Sequence, residues 1–195
     1  MIYAGIDPGP KESHVAFYDT DVPLDAPSVR TFDNEDFLQE IHLGKLKAER
    51  LAIEMFSCSY GSAVGKESLE TVLYIGRLQE AWRWGVPWQP DARLIYRKTA
   101  VTHLTGNPKA GDSGCRQALI DRYGGESVAL RKAKKCFFCR GKGTRPSEGI
   151  APICEDCGDT GRAPGQVGVD GPLVGVTGHL LAALAIAITA AETSE

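Results

Sequence analysis

Apolar positions along this chain keep two rhythms, and each change of rhythm marks an element. Ile2–Ile6 is an apolar run that stops at Asp7, where Pro8-Gly9 turns the chain. Lys11 and Glu12 fill the turn, and His14–Tyr18 reads as a second strand. A loop rich in Asp and Pro, 19–26, leads to a short third strand over Val29–Phe32. These three segments predict an antiparallel meander. Asn34 is placed as N-cap of a helix through about Leu46, with Glu35 and Asp36 in its first turn. Leu51–Glu54 is a fourth strand, followed by a loop of small residues that carries Tyr60. The rhythm then becomes helical: Leu69, Val72, Leu73 and Gly76 follow one stripe of a helix over Glu67–Trp84. Gly85, Pro87 and Pro90 end it. Arg93–Tyr96 is a fifth strand and Lys98–Leu104 a short helix. Ser113 is placed as cap of a helix through Tyr123, stopped by Gly124-Gly125, and 127–135 as another helical turn or two. After a cysteine-bearing segment and a Gly/Pro-rich linker, His179–Ala191 forms a last helix with Leu180, Leu184 and Ile188 on one stripe.

Composition narrows this to one main domain with a small appendage: 195 residues, 43% hydrophobic, are enough for a real core. The formal charge of −3 hides an asymmetry, with residues 1–60 at −6 and the remainder at +3. Leu130–Arg145 holds seven basic residues and no acid, either a solvated surface or a phosphate-binding patch. Met1 leads straight into a strand, so no signal peptide and a cytoplasmic setting are expected. The uncharged stretch Gly171–Ala191 is rich in Ala and Gly and reads as a buried helix, not a membrane span.

Two strands end alike. Asp7 and Glu54 each stand at the carboxyl end of a short apolar run. Open α/β sheets bind ligands there, so parallel neighbours would bring both acids to one cation. Asp-Pro-Gly also makes turns unaided. His179 opens the last helix and can supply a third ligand, or can simply bond backbone or solvent at the helix start. Position 182, one turn on, is alanine and cannot.

The most specific local pattern is a pair of knuckles, Cys136-Phe-Phe-Cys139 and Cys154-Glu-Asp-Cys157, with 14 residues between them. Four thiolates at that spacing predict one closed, structural Zn²⁺ site in an insertion too small to bury its own core. A redox pair is the alternative. Glycines follow each knuckle, and CxxCxGxG resembles half of the cysteine-rich region of DnaJ-type chaperones. Cys58 and Cys115 fall outside the pattern and read as ordinary buried thiols.

Taken together, Ile2-Tyr-Ala-Gly-Ile-Asp-Pro-Gly9, Leu51-Ala-Ile-Glu54 and Ala183-Leu-Ala-Ile-Ala-Ile188, in this order, resemble the RuvC family of Holliday junction resolvases. Ser59-Tyr-Gly, Gly76-Arg, Glu80-Ala-Trp82, Tyr96-Arg97, Asp112-Ser-Gly-Cys-Arg-Gln-Ala-Leu-Ile-Asp-Arg122 and Gly171-Pro-Leu-Val-Gly175 are similar to bacteriophage and prophage members. The resemblance implies a ribonuclease H-like α/β fold: a mixed five-stranded sheet, order 3-2-1-4-5, with helices on both faces. Residues 1–130 and 171–195 would form the nuclease core, 131–165 the zinc-binding insertion and 166–170 a linker.

It further implies a crossover junction endodeoxyribonuclease of DNA recombination and repair, binding two Mg²⁺ (or Mn²⁺) through Asp7, Glu54 and His179. Two such ions, roughly 4 Å apart, activate water and stabilise the leaving oxygen. Ala182 departs from the family's second acidic position on the last helix. Paired nicks in a four-way junction imply a homodimer, and the 67–84 helix is the interface candidate. Arg97, Lys98, Lys109, Arg116, Lys134, Lys135, Arg140 and Lys142 are candidate phosphate contacts, and Tyr60 can stack on a base or sit in the core. The competing reading is a DNA-binding protein of the same fold that has lost its chemistry through Ala182. A sugar-kinase-like or ATPase domain fits worst, because Pro8-Gly9-Pro10-Lys-Glu makes little of a phosphate cradle.

Overall fold

The computed structural model describes residues 1–57, 64–132 and 170–193. Strands β1 (Ile2–Pro8), β2 (Glu12–Asp19) and β3 (Ser28–Asp33) form the expected meander. Helix α1 (Asn34–His42) leads to β4 (Arg50–Met55), which lies parallel to β1. Helix α2 (Lys66–Gly85) returns the chain to β5 (Arg93–Tyr96), parallel to β4. The sheet order is β3-β2-β1-β4-β5. Helices α3 (Arg97–Thr105), α4 (Asp112–Arg122), α5 (Glu126–Ala129) and α6 (His179–Glu192) complete the described elements.

Each face of the sheet carries its own core. Ala4, Ile6, Val15, Leu51 and Ile53 meet α1 and α2 through Phe37, Ile41, Tyr74, Ile75, Leu78 and Trp82. Tyr3, Ala16, Tyr18, Ala52 and Ile95 meet α3, α4 and α6 on the opposite face. Strand side chains alternate between faces. In β1 that alternation puts Tyr3, Gly5 and Asp7 under α6, and in β4 it puts Ala52 and Glu54 there too.

Helix α6 sits unusually close. A Cβ on Gly5 would lie 2.2 Å from the Ala183 carbonyl oxygen and 2.5 Å from the Ala187 nitrogen. The alanine-rich helix and the glycine strand thus pack backbone against backbone, which holds the start of α6 over the end of β1.

Several local expectations are corrected. The cap of α1 is Asp33, whose carboxylate accepts from the Glu35 amide at 2.9 Å. Asn34 is buried instead, accepting from Ser13 Oγ at 2.8 Å and donating to the Gly9 carbonyl at 3.0 Å, which ties the β1–β2 turn to α1. Helix α1 stops at His42, because Gly44 turns the chain in a left-handed conformation, φ +64°. Helix α4 begins at Asp112 with Gly111 as its cap, so Ser113 lies inside it. Helix α5 supplies one turn and begins at Glu126, one residue before the turn or two foreseen over 127–135, of which 133–135 lie outside the described residues. The stripe of Leu69, Val72 and Leu73 faces outward, since the buried side of α2 is Tyr74, Ile75, Leu78, Ala81 and Trp82. No described helix is long and apolar enough to cross a membrane.

Candidate active site

The site lies at the carboxyl rim of β1, β4 and β5. Ile6 pairs with Ile53 in the parallel register, so Asp7 and Glu54 are next in line on adjacent strands and share the α6 face. Across the antiparallel pair, Asp7 stands directly opposite His14. From above, α6 delivers His179, whose Nδ1 lies 2.8 Å from Asp7 Oδ2. The His179 ring stacks on His14, with centroids 4.9 Å apart and planes inclined by 29°. His179 is mostly exposed, whereas Asp7 and Glu54 retain only 13% and 14% of their side-chain surface.

A second group comes from the far edge. Arg97 follows β5 without a break and opens α3. Its Nη1 donates to both Glu54 oxygens at 3.3 Å. Its Nη2 and Nε reach Asp112 Oδ1 at 2.8 and 3.3 Å. One guanidinium is therefore held between two carboxylates from different elements.

Burial, and next the Asp7 charge, push the Glu54 carboxyl above its ordinary range against the pull of Arg97. Burial pushes Arg97 down, but the Asp112 bond and the Glu54 charge outweigh it and hold the guanidinium above its ordinary range. The cluster is short of positive charge at its centre. Beside it opens a cavity of about 320 Å³, with Glu54, Arg97, Asp112 and His179 on its rim and Ala182 and Ala185 in its wall.

The structure thus brings together Asp7, His179 and Glu54, although the last two do not touch. Glu54 faces Arg97 and Asp7 faces His179. Among the described residues, no three His, Cys, Asp or Glu side chains close on one ion as they stand. The donor chemistry nevertheless fits a divalent cation: burial and the neighbouring Asp7 charge raise the cost of ionising Glu54, and a cation would relieve it. Arg116 lies on the cavity rim, and Lys98 and Lys109 are exposed. Tyr60, Lys134, Lys135, Arg140, Lys142, Cys58 and the zinc knuckle residues Cys136, Cys139, Cys154 and Cys157 lie outside the described residues. Cys115 is buried, as expected.

Sequence reasoning missed His14 and Asp112. A signal for His14 was present: counting outward from a turn at Pro10-Lys11 pairs Asp7 with His14. Asp112 was hidden by the misplaced cap at Ser113.

No family model matches the chain, and no curated protein matches it. The fold is similar to a Thermus thermophilus RuvC structure, with a TM-score of 0.51 at 16% identity over 98% of this chain and 93% of that one. It is likewise similar to T. thermophilus RuvC in complex with Holliday junction substrate, with a TM-score of 0.53 at 17% identity and the same coverage. Identity this low speaks to fold alone. The strand order, the mixed pairing and the helix α6 over β1 give this chain a ribonuclease H-like fold of the RuvC-like form.

Proposed function

We propose that the chain is a divalent-metal-dependent endonuclease that nicks branched DNA, with the four-way Holliday junction as its substrate. The observation that carries this reading is the acid pair Asp7 and Glu54 on adjacent strands at the rim beneath His179, with Glu54 held above its ordinary range. The RuvC structure bound to a Holliday junction supports the choice of substrate. Asp7, Glu54 and His179 would hold Mg²⁺ or Mn²⁺, two per site, which supplies Lewis acidity to water and to the leaving oxygen. If it does not hold metal, His179, exposed and bonded to Asp7, would instead take or steer the proton of an attacking water. His14 stacks against it and limits its rotation. Arg116 on the cavity rim and the exposed Lys98 and Lys109 are the candidate phosphate contacts, and the products would carry 5′-phosphates.

Two symmetric nicks call for two sites related by a twofold axis. The outward stripe of α2, with Leu69 59% and Leu73 69% exposed, is the surface for a second copy. Leu73→Glu should leave the monomer's melting temperature unchanged and convert dimer to monomer in analytical ultracentrifugation. A dimer that survives the charge would remove α2 from the interface. The four cysteines would hold a structural Zn²⁺ in an insertion whose basic flank adds DNA contacts, as in a phage- or prophage-type relative acting in the cytoplasm.

The test is cleavage of a synthetic four-way junction with Mg²⁺. Wild-type protein should place paired nicks, and Asp7→Asn should lose cutting by roughly a hundredfold to a thousandfold with binding retained. Binding without cutting in either Mg²⁺ or Mn²⁺ would establish the non-catalytic alternative. Failure to bind the junction would overturn both.

A further inference from the structure

Arg97 occupies a place that a metal would contest. Its guanidinium stands 3.3 Å from both oxygens of Glu54, the more buried of its two partners. Its shorter bond, 2.8 Å, goes to Asp112, which is 79% exposed. The cation is thus anchored at the open side of the cluster and leans on the acid at the closed side. A guanidinium so near both oxygens and a divalent ion on the same carboxylate repel each other strongly at this range.

We propose that Arg97 is a displaceable internal counter-ion. It covers Glu54 while no metal is bound, and Asp112 holds it aside once a divalent cation takes Glu54. This rests on the metal-site reading above, and it gives Asp112 a role as a positioning residue, acting through Arg97 and never on the metal itself. Anchored on Asp112, the guanidinium keeps N–H groups free for an incoming phosphate. Arg97 would then serve twice, first as a stand-in for the metal and afterwards as a phosphate contact. The fold supports the exchange. Arg97 begins α3 and Asp112 begins α4, so both side chains hang from helix starts at the rim of the cavity, where a side chain can swing without moving a strand.

Two substitutions pull in opposite directions. Arg97→Gln removes the competitor, so Mn²⁺ titrated into the full chain should bind tighter by roughly threefold to tenfold in calorimetry. Asp112→Asn removes the anchor and lets the guanidinium settle on Glu54, so Mn²⁺ should bind more weakly by about the same factor. Damage to the fold would weaken binding in both variants and so cannot imitate this pattern. Equal affinities in wild type and both variants, or weaker binding in Arg97→Gln, would overturn the counter-ion role and leave the nuclease reading intact. No Mn²⁺ binding by the wild-type chain would overturn the metal site, and the counter-ion role with it.

Discussion

The two ends of α6 hold their carboxylates in opposite conditions. At the far end, Glu192 accepts from Arg122 Nη2 and lies 2.8 Å from His103 Nε2. Burial pushes its carboxyl up, but those bonds outweigh burial and hold it below its ordinary range. At the near end, burial and the Asp7 charge hold Glu54 above its ordinary range, although Arg97 touches it. Both acids lie on the same face of the same sheet. Glu54 is the more deeply buried of the two, and it keeps different company. Glu192 is one acid with an arginine and a histidine, a satisfied structural tie. Asp7, Glu54 and Asp112 are three acids sharing Arg97 and the imidazole of His179. Folding left acids in excess at one end of a helix and paired the acid at the other, and that excess in a cleft is what the proposed cation site rests on.

The largest expected effect tests what makes the comparison possible, the seating of α6. Gly5→Val would drive a branched side chain into the Ala183 and Ala187 backbone, at sites where even a Cβ lies within 2.5 Å of both. Neither backbone can yield without lifting the helix. A loss of about 3 kcal/mol or more is expected in urea denaturation. A variant of wild-type stability would mean that α6 is not held backbone to backbone, and the position of His179 over Asp7 would lose its cause.

The strand carrying that glycine was legible from the sequence, as were the other four, because apolar runs cut by Asp, Pro and Gly leave few other readings. The meander also followed from short turns. What the sequence concealed was facing. Leu69, Val72 and Leu73 make a helical stripe as good as the one α2 buries, and no periodicity says which of two apolar stripes meets the sheet. The site divided similarly. Strand parity puts Asp7 and Glu54 on one face, and that could be read once the strands were known to be parallel. Arg97 read only as a candidate phosphate contact, because the partners of its bridge lie 43 and 15 positions away. Spacing reports neighbours along an element, and this bridge spans the end of β4 and the start of α4.

The smallest effects sharpen the contrast between the two ends of α6. Glu192→Gln should cost the metal-free protein about 1 kcal/mol at pH 7, a modest figure because the pair is partly exposed. Asp7→Asn should instead stabilise the metal-free protein by a comparable amount, about 1 kcal/mol, since it relieves Glu54 and gives up only a bond to an exposed imidazole. The pH dependence separates the two further. The folded pKa of Glu192 is depressed, so its contribution is complete above the ordinary value of 4.5 and fades as pH falls through the folded value. The gap between wild type and Glu192→Gln in thermal melts should therefore close in acid. The folded pKa of Glu54 is raised, so its penalty is complete above the folded value and is relieved as pH falls toward 4.5. The advantage of Asp7→Asn should shrink over that higher window, before the Glu192 gap begins to close. Adding Mn²⁺ at pH 7 should stabilise the wild type and cancel the advantage of Asp7→Asn, while leaving the cost of Glu192→Gln unchanged. A cation that shifted both variants alike would be acting on the whole surface, and the near end of α6 would then be no more a site than the far one.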